Sequence, residues 1–351
     1  MTMKNFILPF LLLLLFNISC ENQDELLESK VASYDVYVAG TENLQVAYWK
    51  NNQKTILPGG DNLNGVQIEV DNNDVYVLAV NIESIDQVPA WYFWKNGVKN
   101  NVAQYLNVTE NTTTVKDNLS LSRKMIVSNG NVYFAGTMKN PNPTSSADQF
   151  QICYWKNGIK TVVSSTSSEY VGGFEIFNND IYMVTRKNFN PLNMTWDLTH
   201  YKNGAVFSAV ANTSVAPEDY YKNLSDLFLL EKSFSSPPNN YSYTQSYKNV
   251  QTSANFNMPA NINTAAIKYI YWNDTDQYYV GNTFYYKNST LVQINDPTGF
   301  NQIGHLFVND QNIYMTRIHN NMVKFYINNV ETMMINDITK GCLNDIFVVQ
   351  N

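Results

Sequence analysis

Any chemistry in this chain must come from a short supply of reactive side chains. There are three histidines, His200, His305 and His319. None stands at metal-ligand spacing from another His or a Cys, so no structural metal site is expected. Cleaving a glycosidic bond takes two carboxylates at a set separation. Glu83, Asp86, Glu110, Asp117, Asp148, Asp197, Glu218 and Asp219 fall in or beside connecting segments, but nothing in the sequence pairs them. A Gly-x-Ser-x-Gly elbow and a phosphate loop are both absent. Clusters such as Asp71-Asn72-Asn73-Asp74 and Asn273-Asp274-Thr275-Asp276 carry calcium-type oxygen ligands. They stand where tight turns are needed, however, and Asx residues make turns on their own account. Trp91 and Trp196 lie near the longer connectors, where an aromatic ring stacks on a sugar, anchors a protein or simply packs a strand. The candidate ligand-binding residues are therefore Trp91, Trp196, Asp148, Asp197, Glu218, Asp219 and His305. No catalytic residue, metal or cofactor is expected.

The elements that hold these residues are announced by a repeat. Trp49-Lys50-Asn51-Asn52 returns as Trp94-Lys95-Asn96-Gly97, Trp155-Lys156-Asn157-Gly158 and Tyr201-Lys202-Asn203-Gly204. It decays through Tyr247-Lys248-Asn249-Val250 and Tyr286-Lys287-Asn288-Ser289 to Tyr326-Ile327-Asn328-Asn329. The asparagines are roughly 39 to 61 residues apart, the period of four-stranded propeller blades. Asn-Gly favours the positive φ values of a type I′ hairpin turn, so the motif predicts one hairpin per unit. A second phrase precedes it, as in "VQIEVDNNDVYVLAV" (66 to 80) and "HLFVNDQNIYMTR" (305 to 317): two strands around a polar turn. The second of these is apolar on both faces, as befits a strand packed between sheets.

One unit thus holds strands a to d, with tight a–b and c–d turns. The first unit begins at "YDVYVAG" (34 to 40), which matches strand b, and the chain ends in "LNDIFVVQN" (343 to 351), which matches strand a. This predicts an all-β, seven-bladed propeller over residues 34–351, closed by the C-terminal strand joining the N-terminal blade, so that no sheet edge is left open at the seam. The fifth unit is the least distinct, and "DLFLLEK" (226 to 232) fits either its a or its b strand. Segments 139–149, 187–196 and 233–243 read as b–c connectors, and 107–120 and 212–223 as d–a connectors. Length concentrated on that one rim marks it as the candidate recognition face.

Lys4 followed by the apolar run Phe6 to Phe16 reads as an export signal, too short for a membrane span. Ser19-Cys20 resembles a bacterial lipoprotein cleavage box, although Asn17 stands where Leu is usual. That resemblance implies a signal peptide over 1–19, a lipidated Cys20 and an acidic tether over 20–33. The run "ENQDE" is similar to tethers that send lipoproteins of Bacteroidota to the outer face of the outer membrane. A soluble exported protein cleaved elsewhere is the alternative. Cys153 and Cys342 lie in different units and are expected to be small buried thiols rather than a bridge.

With 44% hydrophobic and only 15% charged residues, the chain can bury a core. A net charge of −7 without a basic run argues against nucleic acid. The Tyr/Trp-Lys-Asn-Gly hairpin and the "NDVYV" strand resemble the repeats of uncharacterised surface lipoproteins of Bacteroidota. The resemblance covers nearly all of 34–351 and brings no catalytic residues. The expectation is a lipid-anchored protein of the outer membrane, at the cell surface. It would act as a non-catalytic binding or scaffold module for a glycan or protein through the b–c and d–a loop face. The alternative is an envelope polysaccharide hydrolase or lyase with carboxylates at the channel mouth.

Overall fold

A computed structural model describes residues 34–350 apart from 82–89, 109–118, 123, 167, 223–224, 236–241, 257–261, 263–266, 273–275, 310, 321 and 336–340. The chain has two compact units. Residues 36–348 hold the blades, and a small one combines 1–35 with 349–351. Cys20, the signal and the tether lie outside the described residues, as do Glu83, Asp86, Glu110 and Asp117.

Residues 36–348 form a seven-bladed β-propeller. In the second to seventh blades, strands a to d follow one another in chain order across each sheet, strand a of blade 3 being split into Leu119–Leu121 and Ile126–Ser128. The first sheet instead orders Cys342–Gln350, Tyr34–Glu42, Gln45–Lys50 and Gln53–Asp61, so the last strand of the chain is its strand a. The two strands lie so close that a Cβ at Gly40 would collide with the Cys342 carbonyl oxygen. Only a glycine permits that approach. Closure of the ring is thus made by the end of the chain returning to its beginning.

The repeated motif explains itself in the hydrogen bonds. Asn96 and Gly97 have φ of 49° and 80°, and the pairs Asn157-Gly158 and Asn203-Gly204 are equally left-handed, as a type I′ turn requires. The Asn side chain does a second job. Asn96 Oδ1 accepts the Val75 N–H at 2.8 Å while its Nδ2 donates to Asp74 Oδ1 at 2.7 Å. The same pair of bonds recurs at Asn157, Asn203, Asn288 and Asn328. Each of these five Asn residues therefore clamps the c–d turn to the a–b turn of its own blade. Lys95, Lys202 and Lys287 pair with Asp74, Asp180 and Asp276 at 2.7 to 2.8 Å, and each lies over a strand-b tyrosine ring. In blade 5 Gln251 substitutes, its Oε1 taking the Leu227 N–H at 3.2 Å.

The core lies between blades. Tyr76, Leu78 and Phe93 of blade 2 pack on Val132, Phe134, Cys153 and Trp155 of blade 3. Phe228, Leu230 and Tyr247 of blade 5 pack on Ile270, Trp272 and Tyr279 of blade 6. Trp94 and Trp155, the motif aromatics, are fully buried, each contributing roughly 1.5–3 kcal/mol or more on burial. Cys153 is buried and Cys342 half-buried, and both are free thiols.

Two expectations are corrected. Residues 212–223 are not a connector, because Val215–Lys222 is the inner strand of blade 5, and Leu227–Ser235 is its strand b. Pro217 disguised it. The ladder shifts register between Pro217 and Asp219, and a bulge is where a strand tolerates a residue without an N–H. Residues 187–196 are mostly strand too, since strand b of blade 4 runs Asp180–Asn190 and strand c begins at Thr195. The 139–149 connector holds a short 3₁₀ turn, Ser146–Asp148. Of the other two long connectors, 109–118 and 236–241 lie outside the described residues.

Candidate functional site

The inner strands bring different side chains to one level of the channel. Gln67, Lys124, Gly173, Asp219, Tyr269 and His305 each stand seven residues before the Asp or Asn that receives the motif amide. Four of these strands shift register just ahead of that position, between Gly65 and Gln67, Val171 and Gly173, Pro217 and Asp219, and Ile303 and His305. A bulge re-aims the residue that follows it. Around this level lies a cavity of about 520 Å³, lined by Gln67, Ser122, Lys124, Glu218, Asp219, His305, Asn344 and Asp345 among others. Blade 4 adds Val171, Gly172, Gly173 and Phe174, none of them charged, and a Cβ on Gly172 would meet Pro217 Cγ at 2.8 Å. The lining comes from the leading halves of the inner strands, where the d–a connectors arrive.

The charges in this cavity are largely spent on one another. Lys124 Nζ lies 2.8 Å from Glu175 Oε2 and 3.8 Å from Asp219 Oδ1. Lys222 Nζ holds the other Glu175 oxygen at 3.0 Å, and Lys232 holds Glu218 at 3.1 Å. Burial opposes the charge on Glu175, but Lys124 and Lys222 outweigh it and keep its pKa below the usual range. Burial likewise works against Lys124, and Glu175 with Asp219 reverse the effect and hold it protonated. Asp219 and Asp345 are both pushed up by burial. Glu69, desolvated and beside Asp345, is pushed up to about 8. His305 is pulled down by burial against the pull of Asp345, whose Oδ1 lies 3.6 Å from Nε2. Its ring stacks on Tyr269 with centroids 5.7 Å apart, and its Nδ1 has no hydrogen-bond partner. Among the described residues no trio of His, Cys, Asp and Glu is placed to hold a metal ion.

A second recess sits on blade 4. It has a volume of about 560 Å³ and is lined by Ser168, Tyr170, Arg186, Lys187, Asn188, Phe189 and Trp196. Phe189 and Trp196 stack with centroids 4.9 Å apart and an interplanar angle of 25°. Both flank the turn at 191–194 that joins strands b and c, so this recess also belongs to the connector face. The b–c ladder loses register between Lys187 and Asn190, and Asn188 has φ of 54°. That irregularity lets four consecutive residues, 186 to 189, line one groove where a regular strand would turn alternate ones away. Tyr170 and Phe189 are 61% and 50% exposed, large aromatic area left in water.

The other candidates scatter. Glu218, Asp219 and His305 line the central cavity, and Trp196 lines the groove. Asp197 stands beside the groove, accepting from Asn188 Nδ2 at 2.7 Å and from the Asn212 N–H at 2.9 Å, which lowers its pKa. Asp148 caps the 3₁₀ turn, accepting from the Thr144 and Ser145 N–H groups, and is lowered to about 2. Trp91 packs on the core between blades 2 and 3. Lys124, Glu69, Glu175 and Asp345 were not among the sequence candidates, although the fixed offset from the a–b turn marks the first of them. Tyr170, Arg186, Lys187 and Phe189 were missed because their segments read as connectors or as plain strand.

No family model matches the chain, and no characterised protein sequence does. Among solved structures it is similar to the acylaminoacyl peptidase of Pyrococcus horikoshii, at 9% identity and a TM-score of 0.48, over 87% of this chain and 51% of that one. It is similar to apo AztD from Citrobacter koseri, at 10% identity and a TM-score of 0.43, over 91% and 98%. A third is the β-propeller domain of the Trilobed protease from Pyrococcus furiosus, at 10% identity and a TM-score of 0.36, over 84% and 81%. The chain spans about half the length of the P. horikoshii peptidase. No activity follows from likenesses this distant.

Proposed function

We propose that this chain is a lipoprotein anchored in the outer membrane through Cys20, and that its propeller binds a glycan at the connector face without cleaving it. The stacked Phe189–Trp196 pair carries the reading. It is a shallow, partly exposed aromatic platform, and the flat apolar face of a sugar ring packs on such a surface. Acylation at Cys20 would supply roughly 0.8 kcal/mol per buried methylene, and more than one chain gives stable anchoring. The test is a glycan array with the purified chain. Trp196→Ala and Phe189→Ala should each weaken retention of the best glycan about tenfold, the order expected for a lost stacking contact. Unchanged retention in both variants removes the platform from the reading. Cys20→Ala should move the protein from the membrane to the soluble fraction.

A second reading has its own observation. At the central cavity Asp219 is pushed toward the protonated form, as is Glu69 close by, while Glu175 behind Lys124 is held ionised. Carboxyls driven apart in this way are how a hydrolase separates acid from base. Release of reducing ends from a polysaccharide by the wild type and not by Asp219→Asn would favour that reading over binding.

A further inference from the structure

The blade 4 groove carries charge as well as aromatic surface. Arg186 and Lys187 stand side by side in its lining, and no carboxylate lines it. Among the described residues neither cation is ion-paired with a carboxylate, whereas Lys95, Lys124, Lys202, Lys222, Lys232 and Lys287 all are. Asp197 and Glu169 have hydrogen-bond donors of their own. Asp197, opposite Lys187 on strand c, accepts from Asn188 and from the backbone of Asn212 and also feels the Lys187 charge. Glu169 is buried and accepts from Ser164 and Thr185. In a chain of net charge −7, this recess sets two cations side by side with no acid in its lining, and Asp197 beside Lys187 offsets one of them at most, which suits the recess to an anion.

The geometry joins the two features. Tyr170 lies directly opposite Arg186 in the a–b ladder, and Phe189, three residues on, stacks on Trp196. A ring lying on the Phe189–Trp196 platform has a planar guanidinium and an ammonium within the same recess. Arg grips a carboxylate through two parallel N–H···O bonds, and Asn188 and Ser168 add polar groups suited to hydroxyls. A volume of about 560 Å³ is ample for a short run of sugar rings.

We infer that this groove is a subsite for a carboxylate-bearing saccharide, a polyuronide segment whose ring stacks on the outer face of the Phe189–Trp196 pair while its carboxylates pair with Arg186 and Lys187. The inference rests on the glycan reading above and names the class of glycan.

The test uses pairs of polymers that share a backbone and differ in charge: polygalacturonate and alginate, each against its esterified form. Binding of the full chain is measured by titration calorimetry. The acid forms should bind at least about tenfold more tightly than the esters at low salt, and the preference should shrink as ionic strength rises. Arg186→Ala with Lys187→Ala should bring acid and ester to the same affinity, and Trp196→Ala should weaken both. Equal binding of acid and ester by the wild type overturns the inference and leaves the glycan reading standing. So does a preference for acid that survives in the double variant. Retention of none of the four polymers, nor of any glycan on the array, overturns both.

Discussion

The central cavity and the blade 4 groove have nearly the same volume, about 520 and 560 Å³, and open on the same face of the blades. They differ in what their charges are doing. At the cavity, Lys124 and Asp219 of the lining, with Lys222 and Glu175 behind them, satisfy one another across blades 3, 4 and 5. In the groove, Arg186 and Lys187 share a lining of aromatic and neutral residues, with Asp197 beside Lys187 and no ion pair formed among the described residues. Density of charge marks the first, and availability of charge marks the second. A cluster whose members are paired holds blades together before it holds a ligand, and removing one member leaves another desolvated and alone. Partly exposed cations that form no ion pair cost the fold little and can meet an outside anion.

The largest effect expected from this contrast is at Lys124. Lys124→Met strips Glu175, only 6% exposed, of one of its two lysines and Asp219 of its cation. Removing one partner of such a pair costs about 3–5 kcal/mol, read as a fall in the denaturant midpoint with unchanged m-value. A loss below about 1 kcal/mol would mean that water, not Lys124, satisfies these carboxylates. The cavity would then be as open to a ligand as the groove, and the contrast between them would fail.

Titration sharpens the comparison with a smaller effect. Glu69 has its folded pKa raised from 4.5 to about 8, so between those values the folded chain holds a proton that the unfolded chain has lost. Stability from this group is therefore intact below pH 4.5 and declines as pH rises toward 8. Asp219 and Asp345, also raised, act with the same sign. His305, with its folded pKa lowered, acts the other way, costing stability as pH falls below 6.5. Between pH 6.5 and 8 the carboxyls dominate. The melting temperature should drop there by on the order of 3 °C, and Glu69→Gln should flatten the drop. A profile identical in Glu69→Gln and wild type would show that Glu69 is already solvated.

How legible each region was follows from what its residues are for. The hairpins were readable because Asn51, Asn96, Asn157 and Asn203 do the same clamping job in each blade, and a repeated job leaves a repeated residue. The closing strand was readable because Leu343–Gln350 keeps the inner-strand pattern at the wrong end of the chain. The channel level was not visible as a motif, since the seven-residue offset places Gln, Lys, Gly, Asp, Tyr and His at one position. Geometry is conserved there between blades while chemistry is not. The inner strand of blade 5 hid behind Pro217, and its misreading put Glu218 and Asp219 in a loop although they face the channel. The groove hid in "KNFNPLNM", whose Asn and Pro content signals a loop. Strand b in fact runs to Asn190 and spends its irregularity on turning Arg186 to Phe189 toward one recess.

The smallest effect is expected in the groove itself, and its smallness is the point. Arg186 and Lys187 make no ion pair among the described residues. Their stems lie on the strand, and Tyr170 and Asn188 on either side need neither charge. Replacing each by Ala removes a little packing and some rotamer entropy cost in nearly equal measure. Surface changes of this kind stay within about ±0.5 kcal/mol. The double variant Arg186→Ala with Lys187→Ala should therefore melt within about 2 °C of wild type. Removing two like charges that sit side by side can tip the balance slightly toward stabilisation at low salt, an effect that vanishes as salt is added. Such a gain would be the clearest sign that the pair is held in place for something outside the fold. A loss as large as that at Lys124 would instead make Arg186 and Lys187 structural, and the two recesses would then be alike.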